Sequence, residues 1–579
     1  MIPMRSISLA LCLLAGLPAF LSGAETEYPL AEDSKPQAGV PKGGVVRSNY
    51  TSGEKSVFPG GYRDYTVYIP SQLDRSKPAP FMVLQDNGGY NATTVFDNLI
   101  AKKQIPALVG IFIGHSRVKA ASTNALDRFN RSYEYDGLGD NYARFLIDEF
   151  FPAIEAKHGF KLSTNAVDGS IGGASSGAIA AFTAAWERPD RFSRVFSSIG
   201  TYVGLRAGDD YRVLIRKAEP KAFRIFLQDG SSDQNIYGGD WWMANQEMER
   251  ALVFAGYDVN HVWGDGGHNG KQATAVFPDA LRWLWRDYPA PIKANPEGKS
   301  KVLTTTVVDG GWELVSSGHK FTEGPAVNTK GELFFTDLSS SQIFKVAVDG
   351  NVTLFAENTG SANGLEFGPD GRLYACASGK KQIVAYDDSG KASVVAEGLE
   401  SNDIAITHDG RIYVTDPNNK QVWLIKKDGS KQVVDKGLTF PNGVCLSPDQ
   451  SLLYVADSRG QFVFSYQIAD DGTLAHKQRY YHLHMVDGSN QSGADGMCVD
   501  ADGRLYVTTE MGIQFCDQAG RVNGILEKPQ KAWLSNVAFG GPDGKTLYAT
   551  CGDKVFKRSA KVKGVQTFAA PIKPKAPAL

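Results

Sequence analysis

The hydrophobic pattern changes character near the middle of this 579-residue chain. In the first half, short apolar runs typical of buried strands alternate with longer segments of helical periodicity. The predicted strands are 62–70, 80–85, 107–113, 224–227 and 259–263, and the predicted helices are 141–156, 246–255 and 273–285. Strands that alternate with helices predict a doubly wound, mainly parallel α/β sheet, with chemistry in the loops at the carboxyl ends of its strands.

After residue 305 the pattern becomes short strands separated by Asp-Gly turns, with almost no helical periodicity. A motif of about a dozen residues recurs there at intervals of 40, 39, 40, 53 and 40 residues, and the long interval contains an insertion around 480–491. The copies begin at Glu323, Asn363, Asn402, Asn442, Asp495 and Ser535. Because a single four-stranded blade cannot bury its own faces, six such copies predict an all-β, six-bladed propeller.

The N-terminus has the pattern of an export signal. Arg5 precedes an apolar run over 7–21, and Ser22-Gly23-Ala24 fits a cleavage site with small residues. The run is short for a membrane span, and Leu11 before Cys12 disfavours a lipoprotein. We expect the mature protein to be periplasmic or secreted.

These boundaries predict a multidomain chain. Its parts are a signal peptide at 1–24, an α/β-hydrolase domain at 25–289, a Pro-, Lys- and Gly-rich linker at 290–304, a propeller at 305–570 and a disordered tail at 571–579.

Charge and cysteine content exclude several kinds of partner. The chain has 61 basic and 63 acidic residues and a net charge of −2. We therefore expect no nucleic-acid partner, and no membrane association once the signal is removed. The five cysteines after the signal all lie in the second half, mostly in apolar strand-like runs. This placement favours buried small hydrophobic residues over disulfides or metal ligands.

Residues 173–177 read Gly-Ala-Ser-Ser-Gly, the G-x-S-x-G pattern of a nucleophile elbow. Such an elbow is a strained turn from strand to helix that leaves the serine hydroxyl exposed, and small residues around it allow close packing. Ser175 is the candidate nucleophile. Its helix begins with Ser176, whose backbone N–H is a candidate oxyanion donor.

A serine hydroxyl needs a base, and the base needs an orienting acid. His268 lies in a glycine-rich loop after the last predicted strand, and Asp233 follows the strand before it. The chain order Ser, Asp, His is that of α/β-hydrolases. Asp229, in the same turn as Asp233, is the alternative acid. Asn87 and Gly88, in a glycine-containing loop after the strand at 80–85, are predicted to supply the second oxyanion donor.

Two aromatic segments near these loops are candidate walls for a sugar or phenolic ring. Arg131 and Glu134 belong to the first, and Trp241 and Trp242 to the second. A place in the protein core is the equal alternative for all four.

Four segments carry a family resemblance: 59–70, 172–177, 228–233 and 266–268. Residues 40–290 resemble the esterase branch that includes enterochelin-esterase-like enzymes and the feruloyl and acetyl esterases of carbohydrate esterase family 1. The resemblance implies that Ser175, Asp233 and His268 are nucleophile, acid and base. Many relatives have His-Gly-Gly where this chain has Gln85-Asp86-Asn87-Gly88, which leaves the second oxyanion donor open.

The first residues of the six propeller copies are all polar, where a strand facing a packed core would be apolar. At equivalent places in each blade they would form a ring on the propeller axis. Two carboxylates and several amide oxygens without His or Cys favour a hard divalent cation, Ca²⁺ rather than Zn²⁺. The alternative is that these residues only shape turns.

Residues 305–570 resemble the gluconolactonase and regucalcin family of metal-dependent lactonases. The resemblance rests on Thr-Glu-Gly-Pro at 322, Pro-Asn-Gly-Val at 441 and Ala-Asp-Gly-Met at 494. It implies that Glu323, Asn442 and Asp495 bind the metal and that Asn402 contacts substrate. A divalent ion there would polarise a lactone carbonyl and activate water, with Asp495 as base.

The sequence as a whole predicts an exported serine esterase that acts on small-molecule or carbohydrate esters, such as feruloyl or acetyl esters, fused to a metal-binding propeller that hydrolyses sugar lactones. The esterase half would need no cofactor. Three alternatives stay open: lactonase as the main activity, the propeller as a carbohydrate-binding scaffold, and a siderophore ester as substrate.

Overall fold

The computed structural model describes residues 27–295, 301–307 and 310–577. Its N-terminal part contains a ten-stranded sheet within the described residues. The strands, with one small separate hairpin, are β1 Gly44–Thr51, β2 Tyr62–Ile69, β3 Phe81–Gln85, β4 Val109–Ile113, β5 Arg117–Val118, β6 Arg128–Phe129, β7 Gly169–Ala174, β8 Arg194–Ser198, β9 Arg224–Gly230, β10 Asn235–Ile236, β11 Gly239–Asp240 and β12 Asp258–Gly264.

The helices are α1 Ala92–Ala101, α2 Arg131–Tyr135, α3 Asn141–Arg144, α4 Phe151–His158, α5 Ser176–Glu187, α6 Tyr211–Lys217, α7 Trp241–Ala255, α8 Lys271–Trp285 and α9 Lys301–Thr306. A π-helix, Phe145–Phe150, joins α3 to α4. The sequence predicts one α-helix over 141–156. Pro152, at the start of α4, has no N–H to donate to the preceding turn and its ring crowds that turn, which accounts for the wider coil before it.

The strand order is β12-β9-β8-β7-β3-β4-β2-β5-β6, with β1 paired to β2. Neighbouring strands from β12 to β4 pair in parallel, and β2 is antiparallel to β4. The central strands are buried, apart from the half-buried Ala174 at the end of β7. Two apolar clusters cover the faces of the sheet. The predicted α/β fold class is confirmed for this half.

The second half forms six four-stranded sheets within the described residues. Their strands are β13 Glu313–Ser317, β14 Thr322–Val327, β15 Leu333–Asp337, β16 Gln342–Val346, β17 Val352–Glu357, β18 Ala362–Phe367, β19 Leu373–Ala377, β20 Gln382–Tyr386, β21 Ala392–Glu397, β22 Ile404–Ile406, β23 Ile412–Asp416, β24 Gln421–Ile425, β25 Lys431–Lys436, β26 Pro441–Leu446, β27 Leu452–Asp457, β28 Phe462–Ile468, β29 Leu474–His482, β30 Met497–Val499, β31 Leu505–Thr509, β32 Gly512–Cys516, β33 Val522–Leu526, β34 Leu534–Gly540, β35 Thr546–Cys551 and β36 Lys554–Ser559.

The six sheets are the blades of the predicted propeller, whose fold class is confirmed. The first blade in the chain is β14–β17, and β13 completes the last blade by pairing with β36. This pairing joins the two ends of the propeller, so its sheets form a closed circle. The strands β14, β18, β22, β26, β30 and β34 are the inner strands and contact one another in sequence around the axis.

The two halves are in contact. The outer strand β33 packs beside α6, and the backbone of Ala218 pairs with that of Ile525. The insertion between β29 and β30 reaches the first half, where Asp487 accepts a hydrogen bond from the N–H of Leu138 at 3.0 Å. Two ion pairs, Arg558–Glu219 and Lys221–Glu527, span the same boundary.

The predicted signal peptide lies outside the described residues. In the part of the chain that is described, no helix has the length and apolarity needed to cross a membrane. The five cysteines beyond the signal are free thiols, and four of them are buried. The C-terminal segment lies against the propeller, since the N–H of Ile572 donates to the carbonyl of Pro448 at 2.8 Å.

Candidate active site and candidate metal centre

Ser175 occupies a strained turn between β7 and α5. Its φ is 57° and its ψ is −124°, a conformation that L-residues other than glycine adopt only when the surroundings enforce it. The turn is tight: a Cβ at Gly173 would lie 2.6 Å from the backbone of Gly177. Only glycine therefore fits at position 173, and the hydroxyl of Ser175 is held at the carboxyl end of the sheet.

His268 joins Ser175 to Asp233. Its Nε2 lies 2.9 Å from Ser175 Oγ, and its Nδ1 lies 2.6 Å from Asp233 Oδ1. Asp233 follows β9 and its side chain has no exposed surface. His268 follows β12, the strand next to β9. The parallel sheet thus brings Asp233 and Ser175 to His268, although they lie 35 and 93 residues before it in the chain.

Asp229, the alternative acid, does not contact the imidazole. It ends β9, is fully buried, and its Oδ1 accepts the N–H of Gly230 at 2.7 Å. Its carboxyl group lies within hydrogen-bonding reach of Asp233. Burial, and then the neighbouring carboxylate, raise the pKa of Asp229 well above its usual range. The geometry favours Asp233 over Asp229 as the acid that orients His268.

Thr201 is a neighbour of the serine that the sequence analysis missed. Its Oγ1 lies 3.2 Å from Ser175 Oγ and accepts the indole N–H of Trp241 at 3.2 Å. Thr201 comes three residues after the end of β8, and its place in the loops at the carboxyl edge of the sheet was the one signal that could have drawn attention to it.

The loop after β3 has an unusual backbone. All six residues from Asp86 to Asn91 have positive φ. The N–H of Asn87 donates to the carbonyl of Ile113 at 3.2 Å, and that of Gly88 donates to the carbonyl of Gln85 at 3.0 Å. Both groups are therefore engaged, which corrects the prediction that Asn87 and Gly88 hold the oxyanion.

Arg131 links this loop to the turn that carries Ser175 through hydrogen bonds. Its guanidinium binds both carboxylate oxygens of Asp86, at 3.0 and 2.7 Å, and also reaches the carbonyl of Ala174 at 3.4 Å. Burial would raise the pKa of Asp86, but hydrogen bonds from His115 and Arg131 outweigh burial and lower it. Arg131 thus lies beside the serine, engaged with protein groups.

Glu134 and Trp241 are core residues, which corrects their prediction as substrate walls. Glu134 forms a two-pronged ion pair with Arg63, and neither side chain is exposed. Trp241 is 2% exposed and packs edge-on against the ring of His268, with ring centroids 5.8 Å apart. Trp242 is half-buried and packs against Trp263.

Exposed aromatic side chains nevertheless lie close in the chain to the candidate site residues. Tyr133 is 58% exposed on α2, two residues after Arg131, and Tyr237 is 95% exposed in the β10–β11 hairpin, four residues after Asp233. Phe129, at the end of β6, is 59% exposed.

Of the predicted metal ligands, Glu323 and Asn442 lie at the start of β14 and β26, and Asp495 lies two residues before β30. Glu323, Asn442 and Asp495 are each about 5% exposed. The inner strands approach so closely that a Cβ at Gly443 would lie 2.1 Å from the carbonyl oxygen of Asp495. This explains the glycine after each of the three polar residues. Asn402, also predicted, is half-buried in the same ring, and its carbonyl accepts the N–H of Gly364.

The oxygen atoms of this ring suit a divalent cation. The Asn442 amide N–H donates to Ser458 Oγ at 2.9 Å, which leaves its Oδ1 buried with no hydrogen-bond partner among the described residues. Burial, and then the charges of Glu323 and Asp403, raise the pKa of Asp495; burial likewise raises that of Glu323. Mutually repelling buried carboxylates beside a free amide oxygen are the donor set that Ca²⁺ or another hard ion binds.

Two family models match the chain. One, described as "Putative esterase", matches residues 56–287. The other, described as an SMP-30/Gluconolactonase/LRE-like region, matches residues 321–553. Each match falls within one of the two folds described above.

Known proteins are similar to part of this chain. A gluconolactonase of Zymomonas mobilis is 26% identical over 292 residues, which are 44% of this chain and 82% of that protein. Regucalcin of Danio rerio is 30% identical over 114 residues, 19% of this chain and 37% of regucalcin. The regucalcin match thus spans little more than a third of that protein.

Solved structures are also similar to part of this chain. A gluconolactonase from Xanthomonas campestris is 25% identical with a TM-score of 0.41, and the match covers 45% of this chain and 92% of that one. A ferulic acid esterase is 18% identical with a TM-score of 0.33, over 42% of this chain and 98% of the other. From its two family matches and its two folds, the chain joins a domain of the esterase family to a domain of the SMP-30/gluconolactonase family.

Proposed function

We propose that the protein is a hydrolase of ester and lactone bonds, with a serine esterase in its first domain and a metal-dependent lactonase in its propeller. One observation carries the esterase proposal: His268 contacts Ser175 Oγ through one ring nitrogen and Asp233 through the other. The match to the esterase family supports it. The apolar run and small-residue site at 1–24 support export to the periplasm or the medium.

In the first half-reaction, Ser175 Oγ attacks the carbonyl carbon of the ester and His268 Nε2 accepts the hydroxyl proton. Asp233 accepts the hydrogen bond from Nδ1 and stabilises the imidazolium that forms. His268 then gives this proton to the departing alcohol, and the acyl group stays on Ser175. Water attacks the acyl-serine with His268 as base again, which releases the acid and restores the hydroxyl.

Backbone N–H groups would hold the oxyanion. The N–H of Ser176 lies in the first turn of α5, where the N–H groups have no acceptor within the helix and the helix dipole favours negative charge. Of the N–H groups from Asp86 to Gly89, those of Asp86 and Gly89 have no acceptor among the described residues. We assign the second donor to Asp86, because it directly follows β3 at the carboxyl edge of the sheet. Each such donor contributes about 3 kcal/mol of transition-state stabilisation.

The proposed substrate class rests on exposed aromatic side chains in the segments that carry Arg131 and Asp233. Tyr133 and Tyr237 offer large exposed rings there. Aromatic rings stack on sugar and phenolic rings, so carbohydrate-linked or phenolic-acid esters, including feruloyl and acetyl esters, are the proposed substrates. A siderophore ester is the alternative with the same bond to cleave.

The lactonase proposal rests on the ring of Glu323, Asn442 and Asp495 and on the gluconolactonase relatives. A divalent ion, Ca²⁺ in our proposal, would polarise a lactone carbonyl and lower the pKa of water. Glu323 and Asp495 would supply its negative ligands and Asn442 a neutral one. Asn402, on the rim of the same ring, would orient the sugar by hydrogen bonds, and Asp495 would accept a proton from water.

The test compares wild type, Ser175→Ala and the matched control Ser231→Ala, an exposed serine in the Asp233 turn. The substrates are an aryl acetate, a methyl hydroxycinnamate and glucono-lactone, each with and without EDTA. We expect Ser175→Ala to lower ester turnover by about 10⁶-fold, with no effect of EDTA on the control. Lactone turnover should depend on metal and not on Ser175.

The other outcomes select the alternatives. Ester turnover that survives Ser175→Ala and is lost in EDTA places all the chemistry in the propeller. Lactones left intact by metal-loaded protein make the propeller a carbohydrate-binding scaffold for the esterase. If the protein hydrolyses a catecholate siderophore ester much faster than the hydroxycinnamate, siderophore esters are the substrate class instead of phenolic-acid esters.

A further inference from the structure

The turn after β9 contains a carboxyl group that the triad does not use. Asp229 and Asp233 are four residues apart, and each has one oxygen engaged. Asp229 Oδ1 accepts the N–H of Gly230, and Asp233 Oδ1 accepts both His268 Nδ1 and the N–H of Gln234. The second oxygens, Asp229 Oδ2 and Asp233 Oδ2, are both buried and have no hydrogen-bond partner among the described residues.

Asn245 of α7 provides another hydrogen-bond acceptor beside these carboxyl groups. The Asn245 amide donates to the carbonyls of Gly200 and Trp241, at 2.9 and 3.0 Å, which fixes its orientation. Its Oδ1 is also buried without a partner in the described structure, and the amide lies against the Asp229 carboxyl. Three buried oxygens around the Asp229 carboxyl group thus have no hydrogen-bond donor among the described residues. Since buried polar atoms are nearly always hydrogen-bonded, at least one proton belongs in this group.

We propose, on the basis of the proposed esterase function, that Asp229 carries this proton at neutral pH and donates it in a hydrogen bond to Asp233 Oδ2. Asp229 is then a positioning residue: it holds Asp233 so that Oδ1 faces His268. The bond is charge-assisted because Asp233 is the ionised partner.

The surroundings explain which carboxyl group keeps the proton. Asp233 contacts His268, which becomes positively charged during the reaction, so a negative charge is stabilised there. Asp229 faces the charge of Asp233 on one side and the neutral Asn245 on the other, and it is completely buried. Two adjacent carboxyl groups cannot both ionise without repulsion. Burial and this repulsion both raise the pKa of Asp229.

Two substitutions separate hydrogen bonding from bulk. Asp229→Asn keeps an acceptor for Gly230 and offers an N–H to Asp233, whereas Asp229→Leu keeps only the volume. We expect Asp229→Asn to turn over an aryl acetate nearly as wild type does. Asp229→Leu should lower kcat by about 10- to 100-fold, as loss of a residue that orients an active-site group does, with KM unchanged. Asp279→Asn, at an exposed position of α8, is the matched control.

The pH dependence of kcat distinguishes hydrogen bonding by Asp229 from a role in packing alone, because packing does not depend on ionisation of Asp229. The titratable groups that face Asp229 are Asp233, in the turn after β9, and beyond it His268, in the loop after β12. Wild-type kcat should fall on the alkaline side as Asp229 ionises and repels Asp233. Asp229→Asn cannot ionise, so its profile should lack that fall.

Infrared difference spectra test the proton without any turnover. At neutral pH, the spectrum of Ser175→Ala minus that of Ser175→Ala/Asp229→Asn should show a protonated carboxylic acid carbonyl band. The proposal is overturned if that band is missing, or if Asp229→Asn loses as much activity as Asp229→Leu. If wild type cleaves no ester, the esterase proposal fails, and the infrared result alone decides the protonation of Asp229. If Asp229→Leu does not fold, Asp229→Asn still supplies the pH and infrared tests.

Discussion

The guanidinium of Arg131 binds both oxygens of Asp86 and so ties α2 to the loop after β3. That loop has positive φ at six consecutive residues, from Asp86 to Asn91. Each non-glycine residue in this region costs backbone energy, so the loop depends on contacts from outside it. Arg131 supplies a charged contact of this kind beside the proposed oxyanion donor.

Substitution of Arg131 by Met should therefore lower kcat for neutral esters more than it changes KM. A displacement of the loop by 1 Å would be enough to cost about 10²-fold. Arg131→Lys should restore only part of the rate, since an ammonium cannot bind both oxygens in a fixed plane. Steady-state kinetics on an aryl acetate measure this, with the exposed Arg128→Met as control. A loss confined to the KM of anionic substrates would instead make Arg131 a substrate ligand.

Glu134 should contribute to the stability of the first domain and not to substrate binding. Its carboxylate and the Arg63 guanidinium are both fully buried, and removal of one partner leaves an uncompensated buried charge. We expect Glu134→Gln to lower the free energy of unfolding of the first domain by about 3–5 kcal/mol. Urea unfolding followed by loss of esterase activity measures this. The exposed Glu357→Gln should have no such effect, and a raised KM in folded Glu134→Gln would return Glu134 to the substrate site.

The contacts among Ser175, Asp233 and His268 follow from features that are visible in the sequence. Each residue lies within four residues of the end of a strand, in a turn rich in Gly or Ser. Parallel strands bring such turns to one edge of the sheet. The propeller could also be predicted from the sequence, because its repeat interval and Asp-Gly turns are periodic. The pairing by which β13 completes the last blade could not be predicted, because this strand lies outside the repeat.

The errors concern features that the linear pattern does not contain. The ion pair of Glu134 joins it to Arg63, 71 residues away, and nothing in the local sequence distinguishes a buried carboxylate from a substrate ligand. The assignment of Asn87 and Gly88 failed because the direction of an N–H depends on φ and ψ at each residue of the loop, and residue type constrains these only weakly outside glycine and proline.

The boundary between the domains should weaken in mild acid. His484, in the propeller insertion, lies 2.9 Å from Lys217 of α6. Burial, and then the charge of Lys217, lower its pKa from 6.5 to about 4. The unfolded chain thus binds a proton in this window that the folded protein does not, so stability falls as the pH drops from about 6.5 to about 4.

Substitution of His484 by Gln keeps an acceptor for Lys217 and removes the titration. The midpoint of urea unfolding should therefore fall less between pH 6.5 and pH 4 in His484→Gln than in wild type. His476→Gln, an exposed histidine of β29, should behave as wild type. Equal slopes for wild type and His484→Gln would show that another group dominates in this pH range.

Metal should stabilise the propeller if the ring binds it. A ligand that binds only the folded state adds about 2.7 kcal/mol at a concentration 100 times its Kd. Addition of Ca²⁺ to metal-free protein should raise the Tm of the propeller transition, and EDTA should reverse the change. Glu323→Gln and Asp495→Asn should abolish the response, because each removes one of the two negative ligands. Asp349→Asn, in an exposed turn between blade strands, is the matched control. A Ca²⁺ response that survives in both ring variants would place the ion elsewhere in the protein. If wild type does not respond to Ca²⁺, the same measurement with Mg²⁺ or Mn²⁺ shows whether the ring binds a smaller ion.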